Sequence, residues 1–209
     1  MFILVGGIIL VVIVKSLQNK SGDSNSTFTS NDSQTLHRRV EHNTLAISRV
    51  KYGDPNFDAV AFTSWVKEVY LKLQVAWTEK NWNSVRALES TSLYSQHSTQ
   101  LEDHIRAKTT NVLEKVCIEN VRIKEFIENP DGNDTLVVIL SSTLRDYVID
   151  DETRRVLEGD PKKDLFTVYQ LNFIRQHGSQ TQAVNPDEVV SDHCPNCGAP
   201  LKISAVSEC

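Results

Sequence analysis

The apolar residues of this chain change their spacing once, near residue 110, and that change constrains the fold more than any other feature. Between Asp54 and Lys108 they recur every three or four residues, whereas between Val121 and Arg175 they alternate. A helix brings a side chain back to the same face every ~3.6 residues and a strand every second residue, so a helical first part is followed by a half-buried sheet. Asn56 or Asp58 can cap a helix that carries Phe62, Val66, Val69, Leu73 and Ala76 on one stripe, widened by Trp77 and ending near Glu79 and Lys80. A short second helix fits Trp82 to Leu88. A third runs from about Ser92 to Lys108, with Tyr94, His97, Leu101 and Ile105 on one face.

In the second part, Val121, Ile123 and Ile127 alternate with Arg122 and Lys124, while Val116 and Ile118 upstream have the opposite parity. A bulge near Glu119 and Asn120 reconciles the two registers. The cluster Asn129-Pro130-Asp131-Gly132-Asn133-Asp134 reads as a turn into a long strand with Leu136, Val138, Leu140, Leu144 and Val148 on one face, making a hairpin. A polar connection over Asp150 to Lys163 leads to a last strand with Leu165, Tyr169, Leu171 and Phe173, ending at Arg175. Helices first and a meander of long strands afterwards predict an α+β domain in which the helices cover one face of a curved antiparallel sheet. The nearest common architecture is the nuclear-transport-factor-2-like cone.

Ahead of this domain, Met1 to Val14 carries no charged or strongly polar side chain. As a helix, 1–17 would be roughly 26 Å long, which a mildly thinned bilayer accommodates if Lys15 reaches to the headgroups. A transmembrane-type helix is favoured over a cleaved signal peptide, because no basic residue precedes the run and no small-x-small site follows it. Lys15, Lys20, Arg38 and Arg39 lie on its C-terminal side, which places that side in the cytoplasm. Ser21 to Thr35 is almost wholly Ser, Asn, Asp, Thr and Gly, a composition that buries too little apolar surface to offset chain entropy, so it reads as a flexible tether.

Three of the four cysteines fall in the last sixteen residues, too clustered for a disulfide scaffold and therefore consistent with a reducing compartment. Cys194-Pro195-Asn196-Cys197-Gly198 resembles one knuckle of a zinc ribbon, and Cys209 suits the first cysteine of a second. Those three thiolates leave one zinc position open to His193, to water or to a partner's thiolate. Cys117 reads as a small buried residue. Trp65, Trp77, Tyr94 and Tyr169 could line a pocket for an apolar ligand between helices and sheet, although core packing accounts for the same residues. Asp146-Tyr147 and Asp103-His104 hint at acid–base work, but no nucleophile or second carboxylate can be placed beside them, so no catalytic residue is assigned. Arg106, Lys108, Lys115, Arg122 and Lys124 form a loose basic group that could touch anionic headgroups. A net charge of −5 excludes a dedicated nucleic-acid binder.

The run Asp54-Pro55-Asn56-Phe57, Ala61-Phe62, Trp65-Val66-Lys67, Lys72-Leu73-Gln74 and Ala76-Trp77-Thr78, followed by Trp82, resembles the bacterial branch of the Tim forty-four-like (Tim44-like) domain family. Asn111-Val112-Leu113-Glu114, Val121-Arg122-Ile123, Asp146-Tyr147-Val148 and Gly159-Asp160 extend the resemblance to about Arg175. It implies a membrane anchor over 1–17, a flexible polar linker over 18–53, a Tim44-like domain over 54–178 and a partial zinc-ribbon tail over 185–209. It further implies a non-enzymatic scaffold at the cytoplasmic membrane, with a protein partner or anionic lipid and with zinc as the one cofactor. A small-ligand binder or enzyme using the interior of the cone is the alternative.

Overall fold

Asp58 sets the start of the longest buried helix. Its Oδ1 accepts from the backbone N–H of Val60 at 2.8 Å and of Ala61 at 3.0 Å, satisfying two donors that a helix start leaves without partners. The computed structural model describes residues 9–17 and 30–181. In it α1 spans Ser30–Gly53, α2 Ala59–Thr78, a 3-10 helix Trp82–Leu88 and α3 Thr91–Arg106. Phe62, Val66, Val69, Leu73 and Ala76 are all buried, as their spacing requires. Past the C-terminus of α2, Lys80 takes a left-handed φ of 56°, and the amides of Lys80 and Asn81 return to the carbonyls of Trp77 and Ala76. Lys80 stands where glycine is usual, and its ammonium reaches Asp151 at 2.6 Å. Ser90 caps α3 through Leu93 N.

The sheet is antiparallel throughout, with β1 over Ile9–Leu17, β2 over Thr109–Ile127, β3 over Asn133–Asp150, β4 over Val156–Gly159 and β5 over Leu165–Gln176. Its order is β1-β5-β3-β2, and β4 pairs with β3. The register of β2 against β3 shifts between Ile118 and Asn120, where the parity change demands a bulge, and also at Glu114/Cys117 and Ile123/Glu125. Leu136, Val138, Leu140, Tyr169, Leu171 and Phe173 face Phe62, Val66 and Tyr70 of α2 in one core. Helices therefore pack on one face of a mixed-length antiparallel sheet.

Four expectations need correction. Ile9–Leu17, read as part of a transmembrane-type helix, forms β1 on the outer edge of β5. Five of those nine residues are β-branched, which suits a strand, and the β5 edge supplies the backbone partners. Among the described residues no helix is long and apolar enough to cross a membrane. Ser30–Gly53, read as flexible linker, is α1, because Ala46 and Val50, one helical turn apart, bury themselves in the core and so hold the helix to the sheet. The polar connection after Asp150 contains β4. Cys117 is exposed, since it alternates with Val116 and Ile118, which pack against the core, and so lies on the opposite face of β2.

Gly159 closes β4 against β3 with φ of +80°. A Cβ there would stand 2.6 Å from the Asp146 carbonyl oxygen and 2.9 Å from Tyr147 Cα, both backbone atoms that cannot step aside. Gly159→Ala is therefore expected to destabilise the domain by more than ~1 kcal/mol, seen as a lower urea midpoint at unchanged slope.

Candidate functional site

The four aromatic residues singled out from sequence do not converge on one pocket. Trp65 and Trp77 are twelve residues apart on α2, about 18 Å along its axis. Trp65 lies 5.6 Å from Phe173 and 5.9 Å from Phe62, centroid to centroid. Trp77 stands edge-on to Trp82 and His97, and its indole N–H donates to Asn111 Oδ1 at 2.8 Å. Tyr94 lies under the Arg86 guanidinium, 4.7 Å from ring to Cζ, and points its hydroxyl at Asn83. Tyr169 is buried against Tyr70, and Tyr70 shares a 2.7 Å hydrogen bond with Ser142. Burial raises the pKa of both phenols, so they stay neutral and act as fixed polar points in an apolar interior. Tyr169 lies in the core, whereas Trp65, Trp77 and Tyr94 are half-buried and pack against it at separate places.

Other polar residues noted in the sequence are tied into local networks. Asn111 links Trp77 to Asp146, donating from Nδ2 at 2.7 Å. Asp103 pairs with Arg106 and Lys108 with Glu152, while His104 Nδ1 meets Thr109 Oγ1 at 3.0 Å. A second network went unnoticed in the sequence. Glu89 is buried, accepts the Trp82 indole N–H at 3.0 Å and meets His97 Nδ1 at 2.7 Å, pinning the 3-10 helix to α3.

The feature best placed to meet a partner lies between α1 and the far end of β2. Leu45, Ala46, Arg49, Lys124, Glu125 and Phe126 line an open groove of about 280 Å³, near the lower end of small-molecule sites, which begin at ~300 Å³. Arg49 Nη1 donates to the Phe126 carbonyl at 3.1 Å and its guanidinium lies 5.8 Å from that ring, which fixes the cation over an apolar floor. Lys124 Nζ reaches Gln170 Oε1 at 3.4 Å. Leu45 is 64% exposed and Val40 58%, so α1 carries apolar surface beyond its docked turn. Behind Phe126, a cavity lined by Val50, Phe57, Leu136 and Phe173 measures about 20 Å³, enough for about one water molecule.

A buried carboxylate holds this end together. Asp54, fully buried, accepts from Arg175 Nη1 at 2.6 Å, from Thr181 N at 3.0 Å and from Thr181 Oγ1 at 2.7 Å. Asn56 donates to the Thr181 carbonyl and Gln180 to that of Gly53. The junction between α1 and α2 is thus fastened to the end of β5, and the packed unit reaches past both ends of the expected 54–178. Sequence reading could have found α1 from the Ala46, Val50 spacing, but no local signal joins Asp54 to residues more than a hundred positions away.

Cys194, Cys197 and Cys209 lie outside the described residues. Among the described residues no group of three or more His, Cys, Asp or Glu side chains could hold a metal ion.

An antiparallel sheet covered on one face by helices, with an exposed apolar and basic groove at the first helix, defines a binding-domain class rather than any one chemistry. The family model of the Tim44-like domain matches residues 43–184, about two thirds of the chain, and the chain belongs to that family. Its start at residue 43 takes in the docked turn of α1. Membership indicates a membrane-associated scaffold or binding role in general terms, in a family not known as enzymatic. No curated protein matches the chain.

Proposed function

We propose that this protein is a membrane-tethered scaffold whose Tim44-like domain holds a protein or lipid partner at the cytoplasmic surface of a membrane, in protein translocation or the handling of membrane proteins. The observation that carries this reading is the α1–β2 groove, where exposed Leu45 and the Phe126 ring adjoin Arg49 and Lys124. Apolar surface beside cations is what an anionic headgroup above an acyl chain requires. The apolar run 1–17 is the proposed tether, in a helical state that it takes only when Ile9–Leu17 is off the edge of β5, and the basic residues after it favour the cytoplasmic side. The domain is read as a nuclear-transport-factor-2-like cone, arranged as in bacterial members of the family.

A soluble short-chain lipid tests the groove without involving the tether. Dihexanoylphosphatidylglycerol below its micelle concentration is expected to bind, and its phosphatidylcholine counterpart to bind less. Each cation beside an anionic headgroup contributes ~1 kcal/mol, so Arg49→Gln with Lys124→Gln should weaken binding about 30-fold. Equal binding by the double variant and the native chain would remove the groove from the proposal.

Cys194, Cys197 and Cys209 are proposed as thiolate ligands of a structural zinc ion that would fold the tail around itself. Elemental analysis of the purified chain should find zinc that Cys194→Ser with Cys197→Ser abolishes. Zinc retained by that variant would dismiss the site.

A further inference from the structure

The geometry points to the outer edge of β5 as a docking site for an extended apolar segment of a partner polypeptide, a site that Ile9–Leu17 of the chain itself fills when β1 is in place. This inference rests in part on the membrane-tethered reading above, and its two arms can fail separately.

In the sheet order β1-β5-β3-β2, β5 is an interior strand only because β1 lies beside it. Its other side is committed to β3 from Asn133↔Gln176 to Leu144↔Leu165. Remove β1 and the stretch from Thr167 to Ile174 presents a row of unpaired amides and carbonyls, the edge that a strand-adding partner recognises. The pairing now seen there shows the chemistry the edge accepts. It is antiparallel, runs from Ile9↔Ile174 to Leu17↔Thr167, tolerates a register irregularity between Leu10 and Val12, and takes the sequence ILVVIVKSL. Main-chain hydrogen bonds dominate such an interface, and β-branched apolar residues are the types that hold an extended conformation at least cost.

Ile9 to Val14 of that strand belong to the apolar run proposed as the membrane tether, and one segment cannot do both at once. In a bilayer a lone strand leaves its backbone groups without partners, so an inserted segment must turn helical and leave β5. Membrane insertion thereby opens the edge at the surface where a translocating or membrane-bound client exposes extended apolar chain. In water β1 covers the edge and protects it from indiscriminate pairing.

Proline at two β1 positions tests the site in the full chain, because it takes two backbone N–H groups from an outermost strand and fixes φ there at about −65°. Val12→Pro with Val14→Pro should raise hydrogen exchange across 165–176 while Leu136 to Ser142 of β3 stay protected. A fluorescein-labelled peptide of the sequence of Ile9–Leu17 should bind this variant at least tenfold more tightly than the native chain and restore protection to 165–176. Equal binding to both chains, or binding that leaves 165–176 unprotected, overturns the docking site. If β3 also loses protection, Val14→Pro alone gives the same comparison with less disturbance. In the second arm the native chain is reconstituted into phosphatidylglycerol vesicles, where exchange over 165–176 should rise and the peptide should bind. A native chain that keeps β5 protected on vesicles, while the proline variant binds the peptide, retains the docking site and removes the membrane-driven release.

Discussion

Replacing Arg175 with methionine is expected to cost about 3–5 kcal/mol of folding stability, the usual consequence of leaving a buried carboxylate without its ionic partner. Asp54 has no exposed surface, and Arg175 supplies its only cationic hydrogen bond among those described, at 2.6 Å. The amide and hydroxyl of Thr181 remain, but two neutral donors do not replace a guanidinium. For a domain of this size the loss corresponds to a melting temperature lower by roughly 10 °C or more. Asp54→Asn combined with Arg175→Met should be milder than Arg175→Met alone, since no charge is then stranded. Urea unfolding of the two variants decides the matter. A loss below ~1 kcal/mol in the single variant would mean that Asp54 is reached by water and that the clamp is not what seats α1.

Phe62→Ala should be as damaging, at about 3–5 kcal/mol, because the ring is 99% buried and closely surrounded. Its centroid is 5.3 Å from Phe173, 5.6 Å from Phe57 and 5.9 Å from Trp65, and no single neighbour can move into the space it leaves. The measurement also bears on ligand binding. If the aromatic residues at this end lined a loosely filled chamber, truncation would cost little, and a loss below ~1.5 kcal/mol would favour the apolar-ligand reading. Trp65→Ala, at a half-buried position, should cost less than Phe62→Ala.

These two residues differ in how visible their roles are in the sequence. Phe62 belongs to a helical stripe with Val66, Val69 and Leu73, and the burial of all four follows from spacing within one element. Arg175 and Asp54 are 121 positions apart, and nothing near either one announces the other. The same contrast separates the bulge at Ile118/Asn120, which a parity change over five residues requires, from the Glu89–His97–Trp82 cluster, which depends on how two short helices meet. The groove is of the second kind, since Arg49 and Lys124 come together only once α1 lies across the end of β2.

By itself, the sequence determined that α2 and α3 exist and roughly where they run, narrowed the α2 cap to Asn56 or Asp58, and set the hairpin at Asn129 to Asp134, the alternation of β3 and β5 and the antiparallel α+β class. All of these arise from dihedral preferences and from periodic burial within a dozen or so residues, information carried locally by the chain. Tertiary structure alone decided that Ile9–Leu17 pairs with β5 and that α1 docks through Ala46 and Val50. It also decided that Tyr169 sits in the core while Trp65, Trp77 and Tyr94 pack against it at separate places. An apolar run satisfies its backbone equally well as a helix or as a strand beside an open edge, and the choice depends on whether such an edge is offered by residues far away in sequence.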